Sequence, residues 1–467
     1  MMVPSSSTSL FFYLERKLYI SKYSSNIMKG IIVILLLMVN AFSFASLAFA
    51  DSDLVTGNHP PIYINGNEEF TPENGVTGGT GTAEDPYRIE NWTIVDDDSA
   101  PQGIFINNTD AHFVIRNCTI SGFHDPDEFR DGILLFKVQN GTIDATCTFD
   151  CVSGAFIWYS KEITVTNSTF RDYPFEFGYG IQIISSSHIT IDSSSCYNLE
   201  VGIYTMESIN ISIRRTTCSD NLDCGLIVDV NKYQGTELRY SIEDCEFGGN
   251  GAEGIIVFSL SGSDVTIRNS SFLNQDTGIK LEMLTLSSIE NCSFSNNELG
   301  IFLDRANNVR VMNCRFVNNS CGIEIGGFLL NVIKGVEVSS CTFKDNLIGI
   351  WLLDSMGCTV HHCLLASNSY IGLLSYHSIA RIYSNNIVNN GRNWTENIDS
   401  AGVYSWQSFL DVRQNWWGSS EGPCVSITPL KSVIQVRKID GSDVLMKRLG
   451  FARFRPWSTV PVPDAGR

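Results

Sequence analysis

Glu282, Asp304 and Glu324 are carboxylates that follow one another at intervals of 22 and 20 residues, with Lys280 two places before the first. Carboxylates at so regular an interval meet if the chain returns on itself once per interval. Glu282 and Asp304 then stand roughly 5 Å apart at the backbone on neighbouring turns. Like charge at that distance favours keeping a proton on one of them, as acid–base chemistry on a glycosidic bond requires. On this reading Asp304 is the acid or base, Glu282 raises its proton affinity, Glu324 is the partner and Lys280 orients an acidic sugar. The plainer reading is a solvated acidic ladder, relieved by Lys280 or by a cation.

Aromatic residues recur at the outward places of the same turns: Phe136, Trp158, Tyr204, Phe258, Phe302, Trp351, Tyr376, Tyr404 and Trp406. Flat apolar faces in a row suit sugar rings, so these residues and Lys280 are the expected substrate-binding set. The alternative is that loops fold back and bury the stripe. One further cluster has the composition of a metal site, Cys358-x-x-His361-His362-Cys363. Strand alternation sends Cys358 and Cys363 to one side and the histidines elsewhere, so no metal site and no cofactor are expected.

What positions these residues is a repeat. Thirteen glycines open similar phrases, at Gly103, Gly132, Gly154, Gly180, Gly202, Gly225, Gly254, Gly278, Gly300, Gly322, Gly349, Gly372 and Gly402. Their spacings are 29, 22, 26, 22, 23, 29, 24, 22, 22, 27, 23 and 30 residues, a unit of 22 with loops added. Within a unit, apolar residues alternate as in strands, and the phase slips at Met312-Asn313 before Cys314 and Phe316. Asn tolerates the left-handed backbone a corner needs. Strand-only units of this length predict a parallel β-helix of about thirteen rungs, on the order of 60 Å long at one strand spacing per rung.

Two columns support the register. A small one runs Cys118, Cys147, Ser168, Ser194, Thr216, Cys245, Ser270, Cys292, Cys314, Cys341, Cys363, Asn385 and Asn415. Two residues on, a large one runs Ile120, Phe149, Phe170, Cys196, Cys218, Phe247, Phe272, Phe294, Phe316, Phe343, Leu365, Ile387 and Trp417. Stacked small and large layers fill an interior without voids. The residue before the small column is mostly polar, from Asn117 to Gln414, and forms a corner ladder. The second rung strains this register, since Ile143 sits one place early.

Residues 1–50 read as a leader, with a signal segment over 28–50 and cleavage expected after Ala50; Met28 is a candidate true start, and an uncleaved anchor is the alternative. An entry cap is expected over 51–102, the coil over 103–423, and a closing cap and tail over 424–467. The net charge is −18. The leader holds four cations and one anion, so the mature value is −18 − 3 = −21, a poor match for nucleic acid or anionic lipid. No anchor is expected after processing. Most of the fourteen cysteines fall in the interior columns as structural thiols, and Cys151, Cys224, Cys321 and Cys424 are left as those able to pair. Asn393, in a long insertion, is the best glycosylation acceptor. Insertions over 121–131, 171–179, 231–240, 326–335 and 389–401 are placed to wall a groove around the carboxylates.

Three phrases carry a resemblance: Gly79-Thr80-Gly81-Thr82-Ala83-Glu84-Asp85-Pro86-Tyr87 at the start, the Gly-Ile … Asn-Cys-x-Phe rungs, and Asn415-Trp416-Trp417-Gly418 … Gly422-Pro423 at the end. Together they resemble the exported right-handed parallel β-helix proteins of the copper-binding-protein-like group named after NosD, within the pectate-lyase-like fold, over roughly residues 60–457. The resemblance implies an all-β, single-stranded, right-handed coil with N- and C-terminal caps. It implies less about activity, because that group includes sugar binders, sugar-cleaving enzymes and a copper-site accessory. Paired-Asp and Arg-x-Lys pectinase signatures are missing, which favours a binder over a polysaccharide lyase or glycoside hydrolase. The function expected is binding of an extracellular polysaccharide on the aromatic face; a copper-handling accessory or a structural surface rod is the alternative.

Overall fold

The computed structural model describes residues 57–466, apart from 126–129, 174–177, 231–237, 260–262, 327–332, 392–400, 424, 429–443 and 448–450. The leader, Asn393, Cys424 and the central parts of the five insertions named above lie outside the described residues. The described chain is a coil of three parallel sheets with 14, 16 and 16 strands. Each strand pairs with its counterpart one rung away, as Thr277–Glu282 does with Leu299–Asp304, and that with Cys321–Gly326. The only helical elements among the described residues are two short 3-10 turns, Asn67–Glu69 and Pro72–Asn74. The thirteen glycine-opened strands occupy one 16-stranded sheet, with Ile62–Asn65 before them and Val444–Lys447 and Val425–Thr428 after. The glycine is required by a close approach: a Cβ on Gly300 would lie 2.5 Å from the Gly322 carbonyl oxygen and 2.7 Å from the Phe316 ring.

The interior follows the expected columns. The rings of Phe247, Phe272, Phe294, Phe316 and Phe343 stack 4.7–5.2 Å apart and nearly parallel. Corner residues from Asn117 to Gln414 take left-handed φ between 47° and 63°. The second rung is a correction. Ala145 turns the corner with φ 47°, Thr146 enters the small column and Thr148 the large one, level with Ile120 and Phe170. Cys147 and Phe149 point outward instead, Phe149 lying under the Arg171 guanidinium at 5.0 Å. The reason is Ile143, locked between Ile115 and Val165 in the neighbouring strands. A one-residue shift there would have turned every side chain of the strand over.

A second polar ladder runs inside the coil, three residues beyond the large column: Asn221, Asn250, Gln275, Asn297, Asn319, Asn346, Asn368 and Asn390, all buried. In each central pair the bonding is the same. Asn297 donates from its backbone N–H (3.0 Å) and from Nδ2 (3.1 Å) to Asn319 Oδ1, while Asn319 Nδ2 donates to the Phe294 carbonyl at 3.0 Å. The small column bonds likewise, with Thr146 N–H donating to Ser168 Oγ and Cys314 N–H to Cys341 Sγ. No disulfide joins the thirteen described cysteines to one another, among them Cys151, Cys224 and Cys321, which the sequence leaves open to pairing. At the ends, Phe70 stacks on Tyr87 at 4.5 Å, and Phe454 and Trp457 pack against the far end of the core. The tail then runs back over the 14-stranded sheet, where Val462 N–H donates to Asn386 Oδ1 and Gly466 N–H to the His362 carbonyl.

Asn319→Leu strands the Asn297 N–H and the Phe294 carbonyl in an apolar interior and is expected to cost about 1–3 kcal/mol, read as a lowered denaturation midpoint. Asn318→Gly, at an exposed corner with φ 58°, is the control and should shift stability by under about 0.5 kcal/mol. Thiol labelling of the native protein should reach the half-buried Cys147 first among the described cysteines. Cys314, buried with its thiol pushed well above the ordinary range by desolvation, should react only after denaturant is added. Rapid labelling of Cys314 in the folded protein would contradict the register.

Candidate functional site

The outward face of the glycine-strand sheet carries two rows in register. One runs Tyr204, Ile227, Ile256, Lys280, Phe302, Glu324, Trp351, Leu374 and Tyr404. The other runs Phe136, Trp158, Ile184, Met206, Asp229, Phe258, Glu282 and Asp304, and further along Leu353, Tyr376 and Trp406. Every residue named from the sequence as a binder therefore shares this face.

Three patches divide it. At the N-terminal end Phe156 stacks on Trp158 at 5.5 Å, Phe136 tilts against Trp158 at 4.9 Å, and Tyr159 stacks on Trp158 at 5.5 Å. Tyr159 is 54% exposed and was missed in the sequence because it follows the alternating strand at a left-handed corner. Tyr179, Tyr204, Ile227 and Phe258 pack around buried Val201, Cys224 and Ile256. Towards the C-terminus Trp351, Tyr376 and Trp406 pack on Ile371, Leu374, Ala401 and Tyr404. Tyr404 is 4% exposed, so it supports the patch from beneath and is corrected from a contact residue to a packing one.

The charges lie between the aromatic patches. Glu282 and Asp304 are cross-strand neighbours, as the repeat implies. Each holds its own cation: Lys280 Nζ lies 2.8 Å from Glu282, and Arg305 forks Asp304 with contacts of 3.1 and 3.3 Å. Asp304 and Glu324 are both 8% exposed. Burial works against the Lys280 ammonium, but the hydrogen bond and charge of Glu282, with Glu253 and Asp304 beyond, hold its pKa above the ordinary lysine value. The like-charge repulsion that would make Asp304 an acid is thus offset by Arg305, a residue whose role the sequence did not signal.

Two groups with metal-ligand chemistry occur on the described chain. His361 spends both nitrogens on neighbours, Glu337 at 3.0 Å and His362 at 2.9 Å, while Cys358 and Cys363 are inside the wall. Asp223, Cys224 and Glu253 bring their ligand atoms within 4.8 Å of one another. Here the Cys224 thiol donates to Glu253 at 3.4 Å, and burial pushes it far above the range in which a thiolate forms. Glu253 also faces Lys280 at 3.8 Å. Neither set fits copper as it stands: in the first the sulfurs lie inside the wall and His361 is engaged, and in the second the thiol is protonated and bonded to Glu253.

Asp131 opens the second glycine strand and is buried beside Ser153. Burial raises its pKa to about 7, with a hydrogen bond to Ser153 acting the other way.

The fold and the outward face define a class, the right-handed parallel β-helix, and residues 102–241 match the right-handed β-helix region profile. The chain belongs to the NosD family, described as periplasmic copper-binding protein (NosD), whose profile matches residues 173–327 and 250–420, together 248 of 467. Among solved structures it is similar to the periplasmic alginate epimerase AlgG (13% identity over 84% of this chain and 82% of that one, TM-score 0.43). It is also similar to the A-module of the Azotobacter vinelandii mannuronan C-5 epimerase AlgE4 (12%, 70% and 85%, 0.39). PfbA, a surface adhesin of Streptococcus pneumoniae, is a third (11%, 68% and 83%, 0.39). These likenesses concern the fold. No curated protein matches the chain.

Because the folded Asp131 pKa lies above the ordinary value of 3.8, its contribution is most favourable below pH 4 and is lost as pH rises through about 7. Asp131→Asn should remove that component, and the midpoint of the native protein should fall relative to the variant between pH 4 and 8, by at most roughly 4 kcal/mol. Parallel curves would refute it.

Proposed function

We propose that the chain is an exported glycan-binding rod that holds a polysaccharide along the outward face of its glycine-strand sheet. The observation that carries this is the order of patches on one sheet: aromatic clusters on either side of an ion-paired centre. Rings held edge to edge by a sheet at about 4.8 Å intervals offer successive sugar units an apolar face without further ordering. Lys280, Glu282, Asp304 and Glu324 supply the polar centre, where hydroxyl and carboxylate groups of a glycan exchange hydrogen bonds. Glu282 and Asp304 act in binding and not as a proton-transfer pair, since each already holds a cation. Phe136, Trp158, Phe258, Phe302 and Trp351 are the contact residues, with Tyr204, Tyr376 and Trp406 at the flanks. Export follows from the apolar segment over 28–50 and accords with the family description, and cleavage after Ala50 is part of the proposal.

Affinity electrophoresis through alginate, polygalacturonate and a neutral glucan tests the reading. Trp158→Ala and Trp351→Ala should each weaken retention about tenfold, the range of one aromatic contact, with unchanged circular dichroism. Asp304→Asn should release no product from any of the three, as should the native protein. Retention untouched by both tryptophan variants would sink the binding face, and cleavage abolished by Asp304→Asn would restore the catalytic reading.

A further inference from the structure

A hollow of about 170 Å³, open to solvent, lies on the outer side of the 16-stranded sheet that contains Ile379–Tyr383 and Phe409–Asp411. That sheet is a different one from the glycine-strand sheet. Arg381, Tyr383, Asp411, Arg413, Gln414 and Pro456 line the cavity. Arg381, Asp411 and Arg453 are level on successive strands. The charges of Arg413 and Arg381 both act on the Asp411 carboxylate, in a chain whose net charge is −18.

The carboxylate is already satisfied. Arg413 forks Asp411 at 2.7 and 2.6 Å, which holds the Asp411 carboxyl below its usual range. Arg381 is placed differently. Its guanidinium lies over the Tyr383 ring at 5.3 Å, and that ring stacks on His361 at 5.1 Å. Among the described residues Arg381 makes no ion pair. The aromatic contact therefore orients a fork of N–H donors without neutralising it. The Gln414 amide and the Tyr383 hydroxyl add neutral polar groups to the wall, and Pro456 adds an apolar one.

We propose that this cavity is a second saccharide site, taking a carboxylate-bearing sugar unit, a uronate, near the C-terminal end of the coil. A wall dominated by donors calls for a ligand rich in acceptors, and a guanidinium fork matches a planar carboxylate in two parallel bonds. The hydroxyls of the ring meet Gln414 and Tyr383, and its C–H face meets Pro456. The site is independent of the glycine-strand face and stands whether or not that face binds glycan.

Titration calorimetry of the full chain with digalacturonate, its methyl ester and inorganic phosphate tests this. Digalacturonate should bind, and Arg381→Gln, at an exposed and unpaired position, should weaken it tenfold or more with the circular dichroism unchanged. The methyl ester should bind at least tenfold more weakly than the acid, and Asn318→Gly, at an exposed corner outside both faces, should leave digalacturonate binding as it was. Equal affinity of the native protein and Arg381→Gln, or of acid and ester, overturns the proposal. Phosphate binding as tight as digalacturonate overturns the assignment to a sugar. Loss in Trp351→Ala with none in Arg381→Gln would place the acid on the other face and overturn it as well.

Discussion

The structure depends on one constraint: at many corners of the coil a backbone N–H is turned inward and needs an acceptor there. A left-handed residue makes the turn, and the residue after it is buried with its amide pointing along the stack. An unsatisfied buried amide costs about 1–3 kcal/mol, and such corners recur from rung to rung. The solution is a side-chain acceptor at the same place on the next rung. Asn297, Asn319, Asn346 and Asn368 supply it at one corner, the small column at another, and Ser160, Ser186 and Ser208 at the third. The buried asparagines and serines are therefore structural, although isolated in a sequence they resemble catalytic residues. The same constraint accounts for the interior column of cysteines. Cys314, Cys341 and Cys363 stand where serine and asparagine stand elsewhere, and their sulfurs accept the same N–H at 3.4, 3.4 and 3.5 Å.

With the interior occupied by stacked rings and corner ladders, chemistry is left to the outer rows of the three sheets. Those rows are set by the pleat, so a residue and its counterpart one rung away always meet. That rule makes aromatic runs such as Phe136 and Trp158 into continuous surfaces. It also forces Glu282 beside Asp304, a repulsion the molecule relieves with Lys280 on one strand and Arg305 at the following corner. Arg305 has φ 54°, and this left-handed turn carries its side chain back over the sheet to the carboxylate. The relief is local, each carboxylate being paired within its own rung.

Much of this was legible in the sequence, because a period of 22 with stacked columns leaves few alternatives. The glycine strands, the phenylalanine stack, most corners and the pairing of Glu282 with Asp304 all followed from alignment of the rungs. The second rung misled because Cys147 and Phe149 look like core, and only the phase of Ile143 argues otherwise. The asparagine ladder was visible as Asn three residues after each Phe, but a polar residue in an interior column contradicts the usual sorting of side chains. Arg305, Asp131 and the burial of Tyr404 were not legible at all. They depend on the reach of side chains around a corner, which repeat spacing does not encode.

The relation of this chain to a family described as copper-binding turns on the same geometry. Within a strand, neighbours alternate between the inside and the outside of the wall. In Cys358-x-x-His361-His362-Cys363 the alternation puts both sulfurs within the coil, His361 outside it, and His362 at the corner between. Soft and borderline ligands are thereby separated by the sheet itself. Only a cysteine at the edge of a strand escapes the alternation, and Cys224 beside Glu253 is such a case. Its thiol is held protonated by burial and by two carboxylates, and its acceptor Glu253 also faces Lys280. A metal there would have to expel a proton and break an ion pair. In this chain the outward rows carry rings and charges, and the sulfur is committed to holding the coil together.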